Sequence, residues 1–360
     1  VDVSRIVVAG LGAVSPAGWN VAALREALAK GEPLPVQSIE RPGWPKPLRA
    51  RLVPNPAVRP EFLAHPRLRR TSPVTHYAAA AALEATAGLR ASPEVKRRVG
   101  LIVCLQAGCV QYTCRFFDET LKNPATASPL LFPETVYAAP GSHVAALLKD
   151  VTLVYSLVGD PASFLQGVAL GAQWLEEKRV DACLVIGAEE FNWILADALW
   201  LFDRSAILTS GAGALCLCRE GEIAAGIELA AITDAHTYSV RHNRAESARN
   251  MRRQLNGGAA GELLCNGLGG SPRMDEAERA AWKDWSGAQL SPKRILGEGL
   301  MAAAAWQCVA ACDAVANGRS AAANVSLVGS NQQAIGARFV RTGPSISHLS
   351  ASGDAGNIHA

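Results

Sequence analysis

The residues best placed to do chemistry gather in one short segment, Gly159-Asp-Pro-Ala-Ser163, where an apolar strand pattern gives way to a helical one. A side chain at a helix N-terminus meets unpaired N–H groups and the positive end of the macrodipole, so a nucleophile or an anion is favoured there. Asp160 and Ser163 are therefore candidates for acyl-transfer chemistry, although both residue types also serve as ordinary helix caps. No G-x-S-x-G elbow occurs. Cys104, Cys109 and Cys114 end or follow a strand pattern, but no base or helix start stands beside them in sequence, and they read as core thiols. His143, in Pro140-Gly-Ser-His143, reads as a residue at a helix start. Nine cysteines without a C-x-x-C pair and seven histidines without H-x-x-x-H spacing argue against a disulfide framework and against a metal site. The pair Gly10-x-Gly12 follows a strand, but Ser15 stands where a dinucleotide fingerprint needs its third glycine. A tight turn where backbones meet is expected at 10–18, and no cofactor is expected.

These residues must be positioned by alternating strands and helices. Strands are expected at 5–10, 99–104, 151–155, 180–186 and 212–219, with helices at 21–30, 76–88 and 162–177. The second half repeats the alternation: strands at 228–233, 263–265, 323–327 and 336–341, helices at 244–255 and 301–317. This pattern predicts α/β layers around largely buried sheets. Residues 32–66 are rich in proline and aperiodic, which predicts a surface excursion. At 360 residues the chain exceeds one usual core. The expected division is a half at 1–222, a half at 223–341 and a loose tail at 342–360.

Composition narrows the function. Hydrophobic residues make up 49% and charged residues 19%, a folded rather than a disordered balance. The net charge of +3 is too small to suggest a nucleic-acid partner. No run of about 18 apolar residues predicts a membrane span. The first residues lack the basic-then-apolar pattern of a signal peptide, so a cytoplasmic protein is expected. The basic stretch 241–253 is either a solvated helix face or, through Arg244, Arg249, Arg252 and Arg253, a contact for an acidic partner protein.

Six segments, in order along the chain, resemble the ketosynthase family of the thiolase superfamily. Arg5-Ile-Val-Val-Ala-Gly-Leu-Gly-Ala-Val-Ser-Pro-Ala-Gly18 is similar to the family's opening strand and TGxGxxSPxG turn. Arg69-Arg70 is similar to the start of RRMDRF, and Val180-Asp-Ala-Cys-Leu-Val-Ile-Gly-Ala-Glu189 to ADxxxxGGAE. Gly211-Ala-Gly213 is similar to GEGAG, Lys293-Arg-Ile-Leu-Gly-Glu-Gly-Leu-Met-Ala-Ala303 to KSxxGHxxGAA, and Val325-Ser-Leu-Val-Gly-Ser-Asn331 to FGFGGTN. The resemblance implies a duplicated five-layer αβαβα thiolase-like fold, normally a dimer.

The same resemblance implies a changed active site. The family condenses acyl chains with a cysteine nucleophile and two histidines. Here the cysteine position falls on Pro161 within one residue, with Asp160 and Ala162 beside it, and no cysteine lies between Tyr155 and Val180. The two histidine positions hold Asn266 and Glu298, and the motif lysine remains as Lys293. Leu327, Gly329 and Asn331 stand where substrate-binding residues are implied. About twenty family residues are missing after Glu190, which implies a shortened pocket mouth.

Three functions are consistent with these losses. The first is a non-condensing subunit, like a chain-length factor, forming a heterodimer with an active ketosynthase. The second is an acyltransferase or thioester hydrolase that uses Asp160, Ser163, Asn266, Lys293 and Glu298. The third is a binding module for an acyl carrier protein or an acyl chain; a homodimer or a heterodimer with an active ketosynthase is expected.

Overall fold

The computed structural model describes residues 5–41, 43–91, 96–221, 226–239, 243–255, 261–330 and 332–342. In the first half, β1 (Ile6–Val14) leads through α1 (Val21–Lys30) to the hairpin β2 (Gln37–Ile39) and β3 (Leu48–Arg51). There follow α2 (Pro73–Ala85), the single turn α3 (Ala87–Arg90), β4 (Val99–Leu105), α4 (Val110–Lys122), α5 (Ala139–Leu148) and β5 (Val151–Val158). This half closes with α6 (Ser163–Glu176), β6 (Ala182–Glu189), α7 (Trp193–Phe202), β7 (Leu208–Thr209) and β8 (Gly211–Arg219). The second half runs β9 (Ile227–Ile232), β10 (His236–Thr237), α8 (Arg244–Gln254), β11 (Leu263–Cys265), α9 (Pro272–Ala281) and β12 (Ala288–Leu290). It ends with α10 (Pro292–Leu296), α11 (Met301–Ala316), β13 (Ala322–Val328) and β14 (Gln333–Arg341).

The halves are built alike. The first sheet has the order β5-β4-β6-β8-β1, and the second the order β12-β11-β13-β14-β9. In each, the two outermost pairings at one end are parallel, β4 with β5 and β6, and β11 with β12 and β13. In each, the remaining pairings are antiparallel: β6–β8–β1 and β13–β14–β9. The sheets meet at one pair, Val7 of β1 with Glu228 of β9. Helices α6 and α11 lie between them, α11 touching β8, β6 and β1 on one side and β13, β11 and β14 on the other. Helices α2 and α5 cover the outside of the first sheet, and α8 and α9 that of the second. The five layers follow from this arrangement, and the fold is thiolase-like.

The middle layer explains the alanine-rich sequence. Every residue of α11 from Met301 to Val315 is buried, so small side chains are needed to let two sheets approach one helix. Its one large ring, Trp306, donates its indole N–H to Val14 O at 3.0 Å and Ala212 O at 2.9 Å.

The turn expected at 10–18 is corrected: β1 continues through it to Val14, paired residue by residue with β8. Gly10 and Gly12 are strand residues at which a β-carbon would sit 2.0 Å from Ala85 O and Ala81 O of α2. The glycines permit close strand–helix contact rather than a turn. The Pro-rich stretch contains a strand pair, β2–β3, which joins β7 in a small three-stranded sheet. The boundary expected at 222 and the tail from 343 lie outside the described residues. No helix among the described residues is long and apolar enough to cross a membrane.

Candidate active site

The segment before α6 is tied to the β13–β14 hairpin. Asp160 is 2% exposed. Its Oδ1 accepts from Ala162 N at 3.2 Å and its Oδ2 from Gln332 N at 3.1 Å, while its own N donates to Gln332 Oε1 at 3.3 Å. Ser163 Oγ accepts from Gln333 Nε2 at 3.0 Å, and that amide also reaches Gln166 Oε1. The carboxylate therefore occupies the amides at the head of α6, and the hydroxyl faces an amide rather than a base. Both residues join the two halves of the fold.

Beside this junction lies a cavity of about 410 Å³. One wall is apolar: Leu195, Ala198, Leu199 and Phe202 of α7, with Leu300 and Val328. The other is polar, formed by Arg244, Arg273, Asp275, Glu278, Lys293, Glu298 and the glycine loop 267–269. Lys293 Nζ meets Glu298 Oε2 at 2.8 Å, and Glu298 Oε1 accepts from Leu300 N at 2.8 Å. Leu300 has φ 49° and ψ −117°, a conformation costly for a branched residue, and the Glu298 bond fixes it.

Asn266 is buried behind the wall, held by Ser291 Oγ at 2.6 Å, Leu268 N at 3.2 Å and Gln289 Oε1 at 3.3 Å. The expected convergence is thus corrected: Lys293 and Glu298 line the cavity, whereas Asp160, Ser163 and Asn266 face other partners. Leu327 is buried and its neighbour Val328 lines the cavity instead. Gly329 backs onto Asp160, and its carbonyl accepts from Tyr238 OH and from Arg244 at 2.8 Å. Asn331 lies outside the described residues.

The arginines of α8 divide. Arg244 turns into the cavity, over the Tyr238 ring. Arg252 pairs with Asp284, donates to Ala281 O at 2.6 Å and stacks on Trp282. Arg249 and Arg253 are exposed.

Two functional features escape the sequence. Asp275 and Glu278, three residues apart on α9, accept from the N–H groups of Gly269 at 3.0 Å, Gly270 at 2.8 Å and Gly267 at 3.0 Å. Their helical spacing after Gly267-Leu-Gly-Gly270 was the available signal. Burial raises the Glu278 pKa above the usual carboxylate range. The second feature is the adjacent carboxylates of Glu189 and Glu190, at the end of β6. Glu189 accepts from Gln106 N and Ala107 N, and burial pushes its pKa up to about 8. Glu190 caps two helices at once: it accepts from Val74 N at 3.0 Å and Ser72 Oγ at 2.5 Å at α2, and from Gln111 N at 2.7 Å at α4.

The thiols take no part in the cavity wall. Eight of the nine cysteines are buried, and Cys114 is half-buried. Burial raises the pKa of the thiols nearest the first sheet, Cys104, Cys109, Cys183 and Cys216, far from thiolate character at neutral pH. His143 pairs with Glu134 at 2.9 Å, within α5 rather than at the cavity.

The fold is similar to that of solved ketosynthase structures. No family model matches the sequence, and no curated protein does. Among solved structures, the ishigamide ketosynthase/chain length factor superposes with a TM-score of 0.78 at 18% identity, covering 94% of this chain and 100% of that one. A beta-ketoacyl synthase from Burkholderia phymatum STM815 gives 0.78 at 16% identity, with the same 94% and 100% coverage. A type II polyketide synthase acyl-carrier protein in complex with its ketosynthase bound to the hexaketide gives 0.73 at 15% identity, over 94% of this chain and 99% of that one.

Proposed function

We propose that this chain is a non-condensing, chain-length-factor-like subunit that pairs with an active ketosynthase and works with an acyl carrier protein. The observation that carries the proposal is the state of the three catalytic positions. Asp160-Pro161, Asn266 and Glu298 stand there, each engaged in internal contacts, and no thiol lines the cavity. Losing one member of a cooperating catalytic set costs about 10⁴–10⁶ in rate, and here every member is changed.

The surface supports a partner subunit. Among the described residues, strand β5 ends its sheet with an unpaired edge, and Val154, Tyr155 and Val158 on it are exposed. Helix α7, Trp193–Phe202, buries none of its ten residues and exposes Trp193, Ile194, Trp200, Leu201 and Phe202. Tyr137 joins these regions, donating to Gln106 O beside the cavity and accepting from Ser156 Oγ of β5. A bare strand edge flanked by large apolar side chains favours a second subunit that extends the sheet.

The test is intact mass after incubation with acyl-carrier and acyl-coenzyme A thioesters, with free thiol followed in parallel. The expected result is no acyl adduct, no thiol release, and co-purification with a ketosynthase encoded beside it. An adduct mapped to one residue, or turnover that falls in the Glu298→Gln variant, overturns the proposal in favour of re-invented acyl chemistry.

A further inference from the structure

Helix α7 presents two faces to two different neighbours. Leu195, Ala198, Leu199 and Phe202 line the cavity. Trp193 and Asp197 lie one turn apart, and at about 100° per residue they fall on the opposite face from Leu195 and Leu199.

That outer face is gripped by the connection between β2 and β3, which brings Arg41 against it. Arg41 makes a two-pronged ion pair with Asp197, at 2.9 Å to Oδ1 and 2.8 Å to Oδ2. Its guanidinium also lies 4.4 Å from the centre of the Trp193 ring and 3.9 Å from that of Trp44. Only 8% of the Arg41 side chain is exposed. A planar fork stacked on both faces orients its partners in a way that a lysine cannot.

The arm that carries Arg41 is a fixed post. β3 pairs with β7, Ala50 with Leu208 and Arg51 with Thr209, and Thr209 Oγ1 donates to Arg51 O at 2.5 Å. β7 is bonded in turn to the cavity wall: Thr209 N donates to Glu298 O at 3.0 Å, and Glu298 N to Ile207 O at 2.8 Å. Helix α7, by contrast, buries none of its residues. Its N-terminal end is pinned where Gln111 Nε2 donates to Phe191 O at 2.9 Å, and its C-terminal end runs into a turn where Asp203 Oδ1 accepts from Ser205 N at 2.9 Å. Among the described residues, the ion pair and side-chain hydrogen bonds that reach the middle of α7 from another element come from Arg41. A helix without core packing depends on such a clasp, and lids are drawn from the least stable parts of a fold.

We infer that α7 is a lid over the cavity and that Arg41 is its latch. With the Asp197 pair made, the apolar wall stands in place; with the pair broken, the middle of α7 lifts and the cavity opens. The latch lies wholly within this chain and needs neither a partner subunit nor a carrier protein, so its failure and the failure of the function proposed above are separate results.

The experiment measures access to the cavity through a thiol placed in its wall. Val328→Cys, in a Cys114→Ser background of the full chain, is labelled with fluorescein maleimide, and the labelled positions are mapped by mass. Ser330→Cys, on the same wall, is a second reporter. The latch is changed by Arg41→Ala, Arg41→Lys or Asp197→Asn. Expected are slow labelling of both reporters with the latch intact, a rise of about tenfold or more with Arg41→Ala, smaller rises with Arg41→Lys and Asp197→Asn, and unchanged protection of Cys308 in α11. Equal reporter rates with and without Arg41 overturn the inference. Labelling of Cys308 that rises in step with the reporters overturns it in favour of general loosening of the fold. Reporters labelled as fast as a free thiol with Arg41 in place overturn the lid, because the cavity then stands open.

Discussion

Gly329 and Asp160 stand so close that a β-carbon on Gly329 would fall 1.9 Å from the Asp160 carboxylate. The two halves of the fold are joined at this contact, and neither residue can change alone without cost. Gly329→Ala is expected to destabilise the chain by about 2–4 kcal/mol. Asp160→Gly is expected to cost about 2 kcal/mol by freeing the buried N–H of Ala162 and removing the tie to Gln332 N. The double variant relieves the clash and loses clearly less than the sum. Urea denaturation of the three variants measures this coupling, and strict additivity would refute it.

Glu298 is held by structural contacts, to Lys293 Nζ and to Leu300 N. Removing it leaves Lys293 half-buried without its partner and releases the strained Leu300. Glu298→Ala is expected to cost about 2 kcal/mol, discounted for the partial exposure of the pair. On the proposed reading, Glu298→His introduces the histidine of the motif this segment resembles but supplies no thiol, so radiolabelled malonyl condensation stays at background. Condensation by that variant would show that a nucleophile elsewhere serves the cavity.

Burial raises the pKa of Glu189 to about 8, above the usual carboxylate value of 4.5. The folded state then holds a proton that the unfolded state releases. Its contribution is complete below about pH 4.5 and declines as pH rises towards 8. The slope reaches at most about 1.4 kcal/mol per pH unit for one proton. Glu189→Gln keeps an acceptor for Gln106 and Ala107 and flattens the profile between pH 5 and 8. Guanidinium denaturation across that range is the check, and an unchanged slope assigns the proton elsewhere.

Charges on β5 test the subunit interface. Val154→Lys with Val158→Lys places two cations on the bare edge, where they disfavour strand pairing. Sedimentation is expected to show loss of the two-subunit species at an unchanged melting temperature of the isolated chain. Persistence of that species would move the interface off β5.

Thiol reactivity tests the absence of a nucleophile. In the native chain iodoacetamide is expected to modify Cys114 alone, and slowly, whereas unfolding exposes all nine thiols. Rapid labelling of any buried cysteine would contradict the packing described above.

The alternation of strands and helices was legible in the sequence because each core element carries its own period. β4, β6, β8 and β13 read as apolar runs, and α11 as an alanine-rich helix between sheets. Helices α4 and α7 were not picked out in the sequence; neither has a fully buried residue, so neither carries the buried apolar stripe of a core helix. The strand at Gly10–Val14 was hidden by its glycines, whose purpose, contact with α2, is visible only in three dimensions. In the site, residue types showed departures from the motifs the chain resembles, but not that Asp160 would point at Gln332 while Lys293 and Glu298 lined the cavity. The Asp160–Gln332 contact joins positions 172 residues apart, and no local pattern reports it.

The two sheets do not end alike. The first finishes in β5, eight residues long, apolar and bare, whereas its counterpart β12 has three residues and includes Gln289. Only one of the two sheet ends is therefore a long apolar edge. If the proposed interface is this edge, its valence of one makes association stop at a pair rather than propagate into a filament.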